Sequence, residues 1–147
     1  MYPPVARSVR RRGVAYLAPQ AAGNTWYPDP FTAPVEPNEP GRTSALRAID
    51  DATATAEAAG VARDRIVVHG FSEEACLASE SVARNPDRYG GLVALGGRLI
   101  GESIAPDEYE GDLEGTPVFI GVAMAIPTSL LNAPTSLRAF SNGSAGT

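Results

Sequence analysis

Ile66-Val67-Val68-His69-Gly70-Phe71-Ser72-Glu73-Glu74-Ala75 runs from β-branched apolar residues, through a glycine and a serine, into helix formers. That order predicts a buried strand, a tight turn and the start of a helix. The strand is expected over residues 65–69, apolar on both faces as a central parallel strand should be. The helix is expected to begin at Ser72 or Glu73 and to stop near Arg84, ahead of Pro86. Toward the carboxyl end, residues 92–95 (LVAL) read as a further strand bracketed by glycine pairs, and residues 116–122 (TPVFIGV) as another. Toward the amino end, residues 14–18 (VAYLA) read as a short buried strand closed by Pro19. A loop rich in Gly, Asn and Pro follows to Gly41. Thr43 or Ser44 then caps a helix reaching about Ala59, with Leu46, Ile49, Thr53 and Ala56 on its inner face. Strands alternating with helices imply an α/β fold, a mostly parallel sheet flanked by helices on both faces.

Composition narrows the possible partners. A chain of 147 residues with 44% hydrophobic content can bury a core within one domain. Its formal charge of −5 speaks against a nucleic-acid partner or an anionic membrane surface. Every basic residue is arginine, which we read as coding bias. The single cysteine, Cys76, allows no internal disulfide and no thiolate metal cage, and one histidine with scattered carboxylates gives no metal-ligand cluster. Cys76 itself is expected to be a small buried residue on the second helix. No apolar run reaches the ~20 residues of a membrane span, and no hydrophobic region follows the amino-terminal arginines. The expected location is therefore cytoplasmic; the oligomeric state is left open.

A serine between a buried strand and a helix, preceded by glycine, matches the nucleophile elbow usually written G-x-S-x-G. The turn pushes the hydroxyl out at the carboxyl edge of a sheet, while the helix amino terminus faces a developing oxyanion. Here Gly70 is present, but Glu74 occupies the place of the second glycine. The plain alternative is that Ser72 caps the helix with its side chain and does nothing more.

Longer stretches weigh against that alternative. Gly13-Val14-Ala15-Tyr16-Leu17-Ala18-Pro19-Gln20, Asn24-Thr25-Trp26-Tyr27-Pro28, Ile49-Asp50-Asp51-Ala52, Asp64-Arg65-Ile66-Val67-Val68 and Gly70-Phe71-Ser72 occur in order. Asn85-Pro86-Asp87-Arg88-Tyr89-Gly90-Gly91-Leu92-Val93-Ala94-Leu95 and Thr116-Pro117-Val118-Phe119 follow them. As a set, over roughly residues 13–121, they resemble the phospholipase/carboxylesterase family of α/β-hydrolases, relatives of acyl-protein thioesterases. The resemblance implies a partial α/β-hydrolase that cleaves a small-molecule ester or acyl substrate without a cofactor. It implies Ser72 as nucleophile, the backbone N–H of Glu73 as half of an oxyanion hole, and Trp26 and Tyr27 as pocket lining. Simple anchoring of the loop is the alternative for the two aromatics.

The chain departs from the family pattern at four points. Glu73 and Glu74 stand where the family has Gln and Gly; the first sets a negative charge near the oxyanion, and the second is expected to strain the elbow. No His-Gly loop precedes Gly13. His69, the only histidine, lies on the elbow's own strand and is a poor general base. No acidic residue follows Glu114, so a triad aspartate is missing. Residues 1–122 are therefore expected to form an incomplete hydrolase core, its activity lost with the triad partners, and residues 123–147 an atypical tail. Plausible GC-rich codons from Val122, reread in another frame, give G-D-G-D-P-H-I-P-L-E-R-A-H-E, which suits an aspartate-bearing loop and a charged helix. An out-of-frame tail is the expectation. The competing class is a non-catalytic module that binds an acyl ligand on the same fold. A dinucleotide-binding protein is disfavoured, because Gly96, Gly97 and Gly101 do not form G-x-G-x-x-G after a strand.

Overall fold

A computed structural model describes residues 13–122. Within them three parallel strands form one sheet in the order β1-β2-β3: β1 (Val67–Phe71), β2 (Gly91–Leu95) and β3 (Val118–Gly121). Val68 pairs with Leu92 and Leu92 with Val118, so these three share one face, as do Gly70, Ala94 and Ile120. Two helices accompany the sheet: α1 (Gly41–Ala58) precedes β1, and α2 (Glu73–Arg84) joins β1 to β2.

α2 organises the interior. It packs on β1 and β2 with one side and on α1 with the other, and Ala75 through Val82 are all buried. Small side chains make that position possible. A Cβ on Gly70 would lie 2.2 Å from the Glu74 carbonyl atoms, and one on Gly97 would lie 2.5 Å from the Ala75 Cβ. Strand and helix are thus nearer each other than any side chain between them would permit. On the α1 side, Tyr27, Ala45, Cys76, Leu77 and Ile100 form one apolar cluster, with Trp26, Phe31, Leu46 and Ile49 packed against it. On the sheet side, Ala78, Val82, Tyr89 and Leu92 form another. Leu46, Ile49, Thr53 and Ala56, expected on the inner face of α1, are half-buried, while Ala45, outside that set, is fully buried; the helix begins at Gly41 after Pro40, ahead of the expected cap at Thr43 or Ser44.

Four expectations need correction. Residues 14–18 form no strand: only Val14 makes an isolated bridge, and the segment is exposed. Val14 and Tyr16 favour extended backbone, but a strand also needs a neighbour to receive its hydrogen bonds, and the described residues supply none along its length. Among the described residues helices cover one sheet face only, because α1 and α2 stack on the same side. β1 is consequently not buried on both faces. Val67, His69 and Phe71 project from the uncovered side with Val93, Leu95 and Phe119; Phe71 is 70% exposed and Phe119 59%. β1 also begins two residues later than expected, since Arg63–Arg65 closes a 3-10 turn held by ion pairs from Arg63 to Glu57 and Asp87. The tail expectation, residues 123–147, lies outside the described residues.

A buried carboxylate that the sequence did not single out links the elements. Glu80, fully enclosed on α2, accepts from Arg84 at 2.6 Å and Arg42 at 3.2 Å, and from the Ile100 N–H and the Tyr109 hydroxyl. Two arginines and two further donors offset the cost of removing this charge from water. The i, i+4 spacing of Glu80 and Arg84 was the only local signal of it.

Candidate active site

Ser72 alone joins β1 to α2. Its backbone sits at φ 56°, ψ −117°, a conformation that residues with a Cβ rarely adopt and that costs ~1–3 kcal/mol. The flanking structure fixes it there. The Ser72 N–H donates to the Leu95 carbonyl at 2.8 Å, extending the β1–β2 ladder. Its carbonyl accepts from Ala75 and Cys76, opening α2. A residue bonded to the sheet on one side and to a helix on the other has no freedom to relax.

The hydroxyl is free of that framework. It makes no capping bond to α2, and Ser72 is exposed. A plain N-cap would direct its side-chain oxygen at the second or third helical N–H. Instead the first intrahelical bonds begin with the N–H groups of Ala75 and Cys76, downstream of Glu73 and Glu74. The N–H of Glu73 therefore belongs to the open helix terminus, where partial positive charge collects.

The departures at positions 73 and 74 acquire a definite role. The Glu73 carboxylate accepts from the backbone N–H groups of Trp26 at 3.1 Å and Tyr27 at 3.3 Å. Glu74 accepts from the Trp26 indole N–H at 3.3 Å. The expected strain from Glu74 does not arise, because its side chain is exposed; the close approach involves its backbone and Gly70. Tyr27 is buried in the α1-side cluster, and burial, with Cys76 and Glu73 adding to it, drives its phenol far above the ordinary range. The Tyr27 ring is enclosed in that cluster, whereas Trp26 is half-buried. Cys76 is enclosed as expected, and burial raises its thiol.

His69 stays apart from this cluster. It lies exposed on the uncovered face of β1, whereas Gly70 faces α2. Among the described residues no side chain is hydrogen-bonded to the Ser72 hydroxyl, and no group of His, Cys, Asp and Glu could hold a metal ion. No helix among them is long and apolar enough to cross a membrane.

A parallel sheet whose strand breaks at a strained, exposed serine into a buried helix is the arrangement of an α/β-hydrolase. The sequence model of the Phospholipase/Carboxylesterase family matches residues 11–121, and the chain belongs to that family. A search of curated proteins found no match. Among solved structures, the chain is similar to the crystal structure of a phospholipase/carboxylesterase from Dyadobacter fermentans DSM 18053, with 46% identity and a TM-score of 0.70. The similarity covers 72% of this chain and 51% of that one, so the chain spans about half the length of that relative.

Proposed function

We propose that this chain carries the nucleophile of a carboxylic-ester hydrolase, with Ser72 attacking and the Glu73 backbone N–H stabilising the oxyanion. The observation that supports this most directly is the Ser72 backbone, held at φ 56°, ψ −117° between β1 and α2 with its hydroxyl making no capping bond to α2. Attack of Ser72 Oγ on the ester carbonyl would place negative charge on the carbonyl oxygen at the open end of α2. Preorganised donors there act on the transition state and need no reorganisation. Collapse would release the alcohol and leave an acyl-serine for water to cleave. Trp26 is proposed to border the substrate, and Tyr27 to hold the loop that presents it.

Removal of the serine proton calls for a base, which the family resemblance assigns to a histidine. His69 is unsuited to that part, and the turnover of this chain is expected to be small, drawn from positioning and half an oxyanion hole. The test is hydrolysis of p-nitrophenyl butyrate by the chain and by Ser72→Ala. A saturable rate that disappears in the variant supports the proposal. Equal rates, together with binding of a short-chain ester, would favour a non-catalytic acyl-binding module. Reading the coding DNA in all frames from the Thr116 codon onward tests the out-of-frame tail separately: a frame encoding an aspartate soon after β3 and a later histidine defines the protein to assay.

A further inference from the structure

We infer that Glu73 and Glu74 together latch the Trp26–Tyr27 segment to the start of α2, fixing Trp26 as a wall of the site, with Glu73 as a positioning residue. The functional meaning of the latch rests on the ester-hydrolase reading; its existence does not.

The two ends of this segment are restrained differently. Tyr27 is buried among Ala45, Cys76, Leu77 and Ile100. Just behind it, a Cβ on Gly41 would fall 2.7 Å from the Trp26 carbonyl oxygen, so the first turn of α1 backs the loop closely. Trp26 is only half-buried, and most residues ahead of it are exposed and outside any strand or α-helix. Its backbone N–H and its indole N–H are both spoken for by carboxylates of the first turn of α2. Each contact is long, 3.1–3.3 Å, but one oxygen of Glu73 gathers two consecutive N–H groups and Glu74 takes the indole N–H, so three contacts hold the segment together. The residues that depart from the family's Gln and Gly thus connect the nucleophile turn to the aromatic loop. A wall attached in this way keeps its place when substrate enters and leaves.

The protein has a single tryptophan, so red-edge-excited emission reports Trp26 alone. We would compare acrylamide quenching in the parent, Glu73→Ala/Glu74→Ala and Glu73→Gln, with far-UV circular dichroism as the check on folding. The double alanine variant is expected to raise the quenching constant about twofold, because the hydrogen bonds that hold the half-buried ring are gone. Glu73→Gln retains an acceptor oxygen and is expected to quench like the parent. Unchanged quenching in a folded double variant would overturn the latch and leave core packing as the sole restraint. Should the double variant fail to fold, Glu74→Ala alone removes only the exposed indole bond; increased quenching supports the latch and parent-like quenching refutes it. Addition of methyl octanoate separates the two readings: a parent whose quenching behaves as expected but whose emission ignores the ester retains the latch and loses the substrate wall.

Discussion

Replacing Ser72 by glycine and, separately, by alanine distinguishes a strained elbow from an ordinary helix cap through the sign of a stability change. At φ 56°, ψ −117° the serine backbone stores ~1–3 kcal/mol that glycine, lacking a Cβ, would release. Glycine also gains freedom in the unfolded chain, which returns ~0.5–1 kcal/mol of that benefit. The net expectation for Ser72→Gly is stabilisation by ~0.5–2 kcal/mol. Alanine keeps the Cβ and so the strain; the hydroxyl it removes makes no capping bond, and Ser72→Ala should stay within ~0.5 kcal/mol of the parent. A capping serine behaves in the opposite way, with alanine costing ~1 kcal/mol and glycine a few tenths. Urea unfolding, followed by far-UV circular dichroism and Trp26 emission, resolves these cases. With a urea slope of ~1–3 kcal/mol/M, the glycine midpoint should rise by roughly 0.2–2 M. A glycine midpoint at or below the parent's, with alanine clearly lower, would refute the elbow geometry.

Other perturbations follow from the same contacts. Gly70→Ala drives a methyl against backbone atoms 2.2 Å away and should cost more than ~3 kcal/mol; Gly91→Ala, whose nearest neighbour is the Pro117 carbonyl at 3.4 Å, should cost under ~1 kcal/mol, both read by urea midpoints. Glu80→Ala leaves Arg42 and Arg84 without their shared buried carboxylate and should destabilise by ~3–5 kcal/mol, whereas Tyr109→Phe removes one donor at ~1 kcal/mol. The Cys76 thiol and the Tyr27, Tyr89 and Tyr109 phenols are all raised in the folded chain, burial being the largest cause in each. The folded state therefore holds these protons longer than the unfolded state does. Their contribution is complete below the ordinary thiol value of 9.0 and is lost as pH climbs through the raised values, so thermal midpoints should fall progressively on the alkaline side. Native Cys76 should alkylate slowly with iodoacetamide and rapidly in urea, since it is both enclosed and protonated.

Order along the chain was legible where a segment's own neighbours determine its structure. Gly70-Phe71-Ser72 and the following helix read correctly because strand, turn and helix formers succeed one another within ten residues, and α1 because its apolar positions recur at helical spacing. Residues 14–18 read wrongly because strand pairing is non-local and composition says nothing about whether a neighbour is present. The uncovered sheet face was missed for a related reason: Val67, Phe71 and Phe119 look like core residues in any count of apolar side chains, and only the placement of α1 and α2 on one side shows otherwise. Glu80 was overlooked because its partners Arg42, Ile100 and Tyr109 come from distant parts of the chain.

The elbow shows why a motif is better judged by its contacts than by its letters. Counted as letters, G-x-S-x-G is damaged here, since Glu74 replaces a glycine required for close packing. In the structure the requirement is met elsewhere. Gly70 admits the Glu74 backbone and Gly97 admits Ala75, so the closeness of sheet and helix comes from glycines on the strand and on the loop after β2. The Glu74 side chain, exposed and bonded to Trp26, plays no part in that packing. Glu73 likewise directs its carboxylate to two N–H groups of the aromatic loop. The substitution at 74 therefore bears on how the loop is held, and the strain at Ser72 on how the nucleophile is presented. These are separable properties: Gly70→Ala should disturb the turn, whereas Glu74→Ala should loosen Trp26 while leaving the stability from urea unfolding within ~0.5 kcal/mol of the parent's.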